Sequence, residues 1–310
     1  MKFFRDSKYY LSALVAYSIW GFFSLVLMPI HQYPALDILL YRVFTCAVLM
    51  LVISFVIRRK VWKENKAIFL ALPPGRKKQI IWLNLGGGLF LTGNWFSYIY
   101  CMNHISVKAT SLAYLVCPIL TTVLAFFIHH EKLSKWQWAA VLLSVTGCVL
   151  ISFNHLEDIL YSLVIAAFYA FYLVYQRGNN EFDKLLLLTF QFVFSALLIL
   201  PFYAKFSAPL PKESSFFMYI AVIAVFFTIL PLFLNLYALK GINSSTAGML
   251  LNINPLIAFV LAVFHFHEEI DTVQVIAYAI IFGAVILFNQ HLIFRKKEKT
   301  VQEASRMGVE

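Results

Sequence analysis

One stretch of this chain occurs twice. The segment from Tyr100 to Glu131 aligns without a gap on the segment from Tyr237 to Glu268, at a constant offset of 137 and with nine identities in 32 positions. Tyr100 matches Tyr237, Pro118 matches Pro255, Val123-Leu124-Ala125 matches Val260-Leu261-Ala262, and His130-Glu131 matches His267-Glu268. Scattered Leu, Ile and Val agree by chance in sequences this apolar, but a shared Pro thirteen residues before a shared Glu is much harder to obtain that way. The chain therefore reads as a tandem duplication of about 150 residues.

What is duplicated follows from hydropathy. Hydrophobic residues make up 61% of the 310 positions and charged residues only 13%, a balance that a water-soluble domain cannot carry without a precipitating surface. Ten apolar stretches of about 20 residues, enough to cross roughly 30 Å of hydrocarbon, begin near Tyr9, Leu36, Ile80, Ala109 and Trp136, then near Ile159, Leu185, Phe216, Ser245 and Val273. Each must be helical, since lipid offers the backbone no hydrogen-bond partners and no ten-residue alternating pattern suggests a barrel. The fold class is thus an all-α polytopic membrane protein. The four cysteines fall inside apolar stretches without metal-ligand spacing and read as small core residues.

The basic residues fix the expected orientation. With the N-terminus inside, 21 of the 25 Lys and Arg lie in inside segments, and the outside loops keep only Lys108, Lys205 and Lys212, the asymmetry that orients membrane proteins with their basic loops inside. The net charge of +10 is thereby explained without a nucleic-acid partner. The connection from Arg58 to Gln79 reads as the one sizeable cytoplasmic loop, and residues 296–310 as a polar cytoplasmic tail. Five spans is an odd number, so the second half (154–295) enters the membrane upside down relative to the first (1–153). Pro118 and Pro255 then approach the midplane from opposite directions, and inverted repeats with breakers at that depth are the build of secondary transporters.

Several motifs carry a family resemblance: AYSIWGFF from Ala16, LLYRVF from Leu39, TGNWF from Thr92, SLAYLVCPIL from Ser111 and the HHEKLSKWQW that follows. With them the chain resembles the RarD-type branch of the EamA-like drug/metabolite transporter superfamily over nearly its whole length. The resemblance implies ten helices in two inverted five-helix repeats around a central cavity, and export of amino acids, other metabolites or drugs. The branch often has His before the Arg matching Arg42, where this chain has Tyr41. On the implied cavity wall, TGNWF contributes Asn94 and Trp95, and SLAYLVCPIL contributes Tyr114.

The residues themselves supply further candidates. Arg42 is the one strongly charged side chain inside a span, about 9 Å from its outer end at helical rise, and an intramembrane cation is functional by default unless its stem snorkels to the headgroups. It falls opposite Gln191 at an offset of 149. Tyr17 and Trp20 share a face of the first helix, as do Tyr169 and Tyr172 on the sixth, and the pairs correspond at an offset of 152. They can line a pocket for a solute with apolar or cationic surface or simply pack. Asn94 follows Gly86-Gly87-Gly88 and Gly93 and matches Pro231, positions able to open a helix; with Asn235 and Asn252 it offers neutral hydrogen bonds to substrate, or to neighbouring helices.

Other chemistry finds little support. Every Asp and Glu falls at a span end or in a loop, so the interior has no carboxylate relay. Glu131 and Glu268 read as helix-end acids in water or paired with a local Lys such as Lys132 or Lys135. The His-Glu clusters lie at opposite faces and cannot share a metal ion. No nucleophile with a base can be assembled at one depth, so no enzyme activity and no cofactor are expected. The expected partners are a small-molecule substrate and the lipid bilayer, with a homodimer as an open possibility. A receptor or scaffold without transport is the alternative function, and it leaves the inverted duplication without a purpose.

Overall fold

The computed structural model describes residues 2–104, 107–152, 156–178, 182–206, 211–265, 267 and 271–290. Glu268, Ile105 and the tail lie outside them. Every regular element among the described residues is helical. The first half comprises α1 (Lys2–Gly21), α2 (Phe23–Leu27), α3 (Ala35–Val52), α4 (Arg59–Ala71), α5 (Pro74–His104), α6 (Val107–His129) and α7 (Lys135–Ser152). The second comprises α8 (Leu156–Arg177), α9 (Lys184–Phe206), α10 (Ser214–Ala224), α11 (Leu230–Ala238), α12 (Ser244–Leu250), α13 (Ile253–Phe264) and α14 (Thr272–Phe288).

Each apolar stretch read from the sequence is occupied by one of these helices or by a consecutive pair. Among the described residues, five helical stretches are both long and apolar enough to cross a membrane: Leu36–Ile57, Leu112–His129, Lys184–Tyr203, Ser214–Ala238 and Ser244–Leu261. The α1–α2 pair, bent by 42°, makes a sixth if taken as one span. The surface confirms the solvent. Large apolar side chains face outward, with Ile57 72% and Phe264 76% exposed, while Thr121, Gln176, Gln191, Asn235 and Asn252 are fully buried. That inverts the arrangement of a water-soluble protein, as expected where lipid surrounds the bundle. All four cysteines are buried, and none forms a disulfide.

The helices of the two halves interleave. α6 packs on α8 and α12, α7 on α14, α3 on α9, α5 on α8 and α9, and α1 on α11 and α13. Small residues permit the closest of these approaches. A Cβ at Gly87 would lie 2.1 Å from Gln176 Nε2, and one at Gly248 would lie 2.7 Å from Thr121 Cβ.

Three expectations are corrected. The connection after Arg58 is not a loop: it forms α4, whose docked face, Arg58, Trp62, Asn65, Phe69 and Leu72, recurs at helical spacing. Arg58 pairs with Asp183 at 2.7 Å, Asn65 Oδ1 accepts the Asp183 N–H at 3.0 Å, and Trp62 and Phe69 pack on Phe190 and Phe182. Sequence hydropathy misses such a helix because its face is narrow and four of its thirteen residues are Lys or Arg.

The second correction concerns Pro118, which lies inside an unbroken α6. The carbonyl that loses its helical donor to the proline is that of Tyr114, and one missing bond does not break the helix; the Thr121 and Thr122 hydroxyls just beyond it fold back on the Cys117 and Pro118 carbonyls at 2.8 and 2.9 Å. Its repeat partner Pro255 does sit beside a break, since α12 ends at Leu250 and α13 begins at Ile253. The third is that α5 runs without interruption through Gly86–Gly88, Gly93 and Asn94. The position matching Asn94 does open: Pro231 follows a π-helical turn, Val225–Ile229.

Candidate functional site

α1 carries Tyr17 and Trp20 on one face toward the second half, and the structure brings them onto the face of α8 that bears Tyr169 and Tyr172. The Tyr17 hydroxyl donates to Asn235 Oδ1 on α11 at 2.7 Å. Asn235 Nδ2 in turn donates to the Tyr169 hydroxyl at 3.4 Å. Trp20 Nε1 donates to the Phe227 carbonyl at 2.8 Å, a backbone group within the π-helical turn, where the ordinary helical ladder is shifted. The rings are continuous: Tyr17 to Trp20 and Trp20 to Tyr169 each span 5.9 Å, and Tyr169 to Tyr172 spans 5.6 Å. Tyr17 and Tyr172 are fully buried, whereas Trp20 is partly exposed.

A second group lies on α3, α5, α6 and α9. The Arg42 guanidinium sits over the Trp95 ring at 5.1 Å, the geometry of a cation–π contact. Trp95 stacks on Phe192, 6.0 Å between centroids and 18° between planes, and Tyr98 packs on Tyr114 at 5.8 Å. Tyr114 lies within electrostatic reach of Arg42 on one side and Tyr169 on the other, so the two groups adjoin. Arg42 Nε is buried without a hydrogen-bond partner. Arg42, Trp95, Tyr98 and Tyr114 are each partly exposed, unlike the sealed Tyr17–Asn235 pair.

Eight of the ten residues expected at a binding site therefore converge: Tyr17, Trp20, Tyr169, Tyr172 and Asn235 in one group, Arg42, Trp95 and Tyr114 in the other. Asn94 does not join them. Its Nδ2 donates to the Ile165 carbonyl at 2.9 Å, joining α5 to α8. Asn252 stands at the α12–α13 break, fully buried, with its Nδ2 on Met249 Sδ at 3.6 Å and its Oδ1 unpaired. Gln191, opposite Arg42 in the repeat, is buried beside Gly87 with both side-chain polar atoms unpaired.

Sequence reasoning passed over Phe192, Tyr98 and the Phe227 carbonyl. Phe192 follows Gln191, and neither ring belongs to a quoted motif; the carbonyl has no side-chain signature at all. It also misread Glu131. The carboxylate is buried rather than hydrated, and its partners are distant in sequence: the N–H groups of Ser244 and Ser245 at 2.9 and 3.2 Å, the Ser245 hydroxyl, and Arg177 Nε at 3.6 Å. Arg177 donates further to the Ile242 carbonyl and to Asn243 Oδ1. Among the described residues no three His, Cys, Asp or Glu side chains form a group able to hold a metal ion. His129 uses its ring on the Val174 carbonyl at 2.7 Å.

A groove of ≈ 480 Å³ lies elsewhere, between Phe22, α13 and α14, and its lining includes Ile253, Ile257, Phe259, Tyr278 and Phe282. None of the converging residues borders it, and its walls are apolar.

Known proteins share this architecture. A solved crystal structure superposes with a TM-score of 0.71, covering 94% of this chain and 99% of its own at 19% identity. The uncharacterized transporter YojE of Bacillus subtilis (strain 168) is 27% identical over 280 residues, 89% of this chain and 91% of its own. Protein RarD of Escherichia coli (strain K12) is 26% identical over 298 residues, 93% of this chain and 95% of its own. The EamA-like transporter family matches twice, over residues 7–153 and again over 157–290. With both halves matched and nearly every residue covered, the chain belongs to the EamA-like transporter family.

Proposed function

We propose that this chain is a secondary transporter that exports small organic solutes, such as amino acids, related metabolites or drugs, across a bacterial inner membrane. Its halves, residues 1–153 and 154–295, act as inverted five-helix repeats that expose a central site alternately to the two faces. Both termini are cytoplasmic, in keeping with the Lys and Arg distribution.

The observation that carries this reading is the Tyr17–Asn235–Tyr169 relay with Trp20 beside it. Polar and aromatic groups from both halves meet inside a bundle whose outer surface is apolar, which is where an inverted-repeat transporter binds its substrate. The packing supports the inversion. α5 on α8 has its counterpart in α11 on α1, α6 on α8 in α13 on α1, while α3 with α9 and α7 with α14 pair across the same axis. His130 and His267, 137 residues apart, also share a left-handed backbone, with φ of 50° and 52°.

The test uses purified protein in liposomes loaded with a mixed metabolite pool, with mass spectrometry of what escapes. Selective loss through the wild type and its suppression by Trp20→Ala are expected. Retention of every solute, with and without a proton gradient, would sink the reading.

A further inference from the structure

Arg42 bears the one Lys or Arg side chain in the middle of an apolar stretch, and no described residue neutralises it. Its contacts are aromatic: the Trp95 face under the guanidinium, with Tyr98 and Tyr114 within electrostatic reach. The nearest acid along α3 is Asp37 in its first turn. Five residues of helix set the two about 140° apart around the axis. Among the described residues every other Asp and Glu lies at a helix end or beyond one, except Glu64 in the middle of α4.

A cation held largely out of water without a counter-ion is costly, because no Coulomb attraction and only partial hydration offset its desolvation. Trp95 relieves part of that cost through the cation–π contact, and the unpaired Nε leaves the guanidinium edge ready to donate. The groups adjoining it toward Tyr169 are rings, hydroxyls and an amide, so a second charge on the ligand finds no opposite charge there. A zwitterion bound at Arg42 would leave the site at +1. A monoanion would bring it to zero.

Resting on the transport reading above, we infer that Arg42 is an oxyanion-binding residue, and that the site selects organic monocarboxylates over zwitterions, amides and amines of the same skeleton. The carboxylate docks on the guanidinium edge, and the apolar part lies toward Trp95, Tyr114 and Tyr169. Specificity for net charge is then written in one residue, and the amino group of an amino acid is tolerated rather than recognised.

The experiment is calorimetric titration of the full chain in phosphatidylcholine nanodiscs with four probes on one skeleton: 3-phenylpropanoate, phenylalanine, 3-phenylpropanamide and phenethylamine. The propanoate is expected to bind at least about tenfold more tightly than the amide, the factor carried by one hydrogen bond to a charged group, with phenylalanine between them and the amine weakest. Arg42→Gln should erase the difference between acid and amide, and Arg42→Lys should keep its sign. Phenylalanine binding as tightly as the propanoate, or the amide matching the acid, or no binding by the acid, overturns the inference, and these wild-type outcomes need no variant. A second arm adds phosphatidylglycerol. If that lipid stabilises the wild type but not Arg42→Gln and blocks the propanoate, the oxyanion is a headgroup phosphate and the inference fails. Binding in the expected order without flux in liposomes would leave this inference standing and sink the transport reading, whereas selective flux of zwitterions or amines would do the reverse.

Discussion

The Glu131 carboxylate at the end of α6 lies 3.6 Å from Arg177 Nε at the end of α8, and the two residues grip opposite sides of the same turn. Glu131 takes the N–H groups that begin α12, and Arg177 takes the Ile242 carbonyl and the Asn243 side chain just before it. One strand of contacts thus ties the first half to the second at this end of the bundle.

We predict that Glu131→Ala lowers stability by about 2–3 kcal/mol, because it strands buried donors that had a charged acceptor. Arg177→Ala should cost less, since its side chain is 29% exposed and water reaches it. Thermal unfolding in detergent orders the two. An Arg177→Ala loss equal to or larger than that of Glu131→Ala would contradict the assignment of the carboxylate as the centre of the contact.

Tyr17→Phe removes a single oxygen and leaves Asn235 Oδ1 without its donor inside the bundle. Interhelical hydrogen bonds in membranes are worth roughly 0.6–2 kcal/mol, so a loss of about 1 kcal/mol is expected. Solute flux should fall further than that loss of stability accounts for. If flux per folded molecule is unchanged, the hydroxyl is packing and not part of the site.

Gly248→Ala sets a Cβ 2.7 Å from Thr121 Cβ, a branch point that no rotamer can move away. α12 and α6 must separate, at about 1–3 kcal/mol. Gly75→Ala meets nothing within 4 Å and should be neutral or slightly stabilising, as Ala is the better helix former. Equal melting temperatures for the two variants would show that the α6–α12 contact is softer than its geometry implies.

Asp183 does one job that Arg58 does not share. It pairs with Arg58 at the surface and also accepts the Leu186 N–H at the start of α9. Asp183→Ala is therefore expected to cost about 1 kcal/mol or more through loss of the cap, and Arg58→Ala less than about 1 kcal/mol as a half-exposed pair. Chemical denaturation of both variants checks the order, which reverses if α4 docking depends chiefly on the ion pair.

What the sequence made legible was periodic. Tyr17 with Trp20 and Tyr169 with Tyr172 announce shared helix faces by spacing alone, and the structure sets those faces against each other. Arg42 was visible because a charge in an apolar stretch has few innocent explanations. What stayed hidden was pairing at a distance: Glu131 with Ser244 depends on how α6 meets α12, and nothing local to either residue encodes it. Pro118 and Asn94 misled in the other direction. α6 runs on through the one, and an unbroken α5 uses the other to hold Ile165, so residues able to break helices do not break them here.

The docking of α4 has a consequence for how the chain is made. Its surfaces on Phe182, Asp183 and Phe190 are translated about 110 residues after its own last turn, an interval of about 5–20 s at ordinary ribosomal speed. Through that time Trp62 has Phe55 of the preceding helical stretch beside it but Phe69 lacks its partner Phe182, and an amphipathic helix with an uncovered apolar face favours the bilayer surface, its Lys and Arg toward the headgroups. The order of synthesis therefore puts lipid within reach of Phe69 before Phe182 exists to cover it.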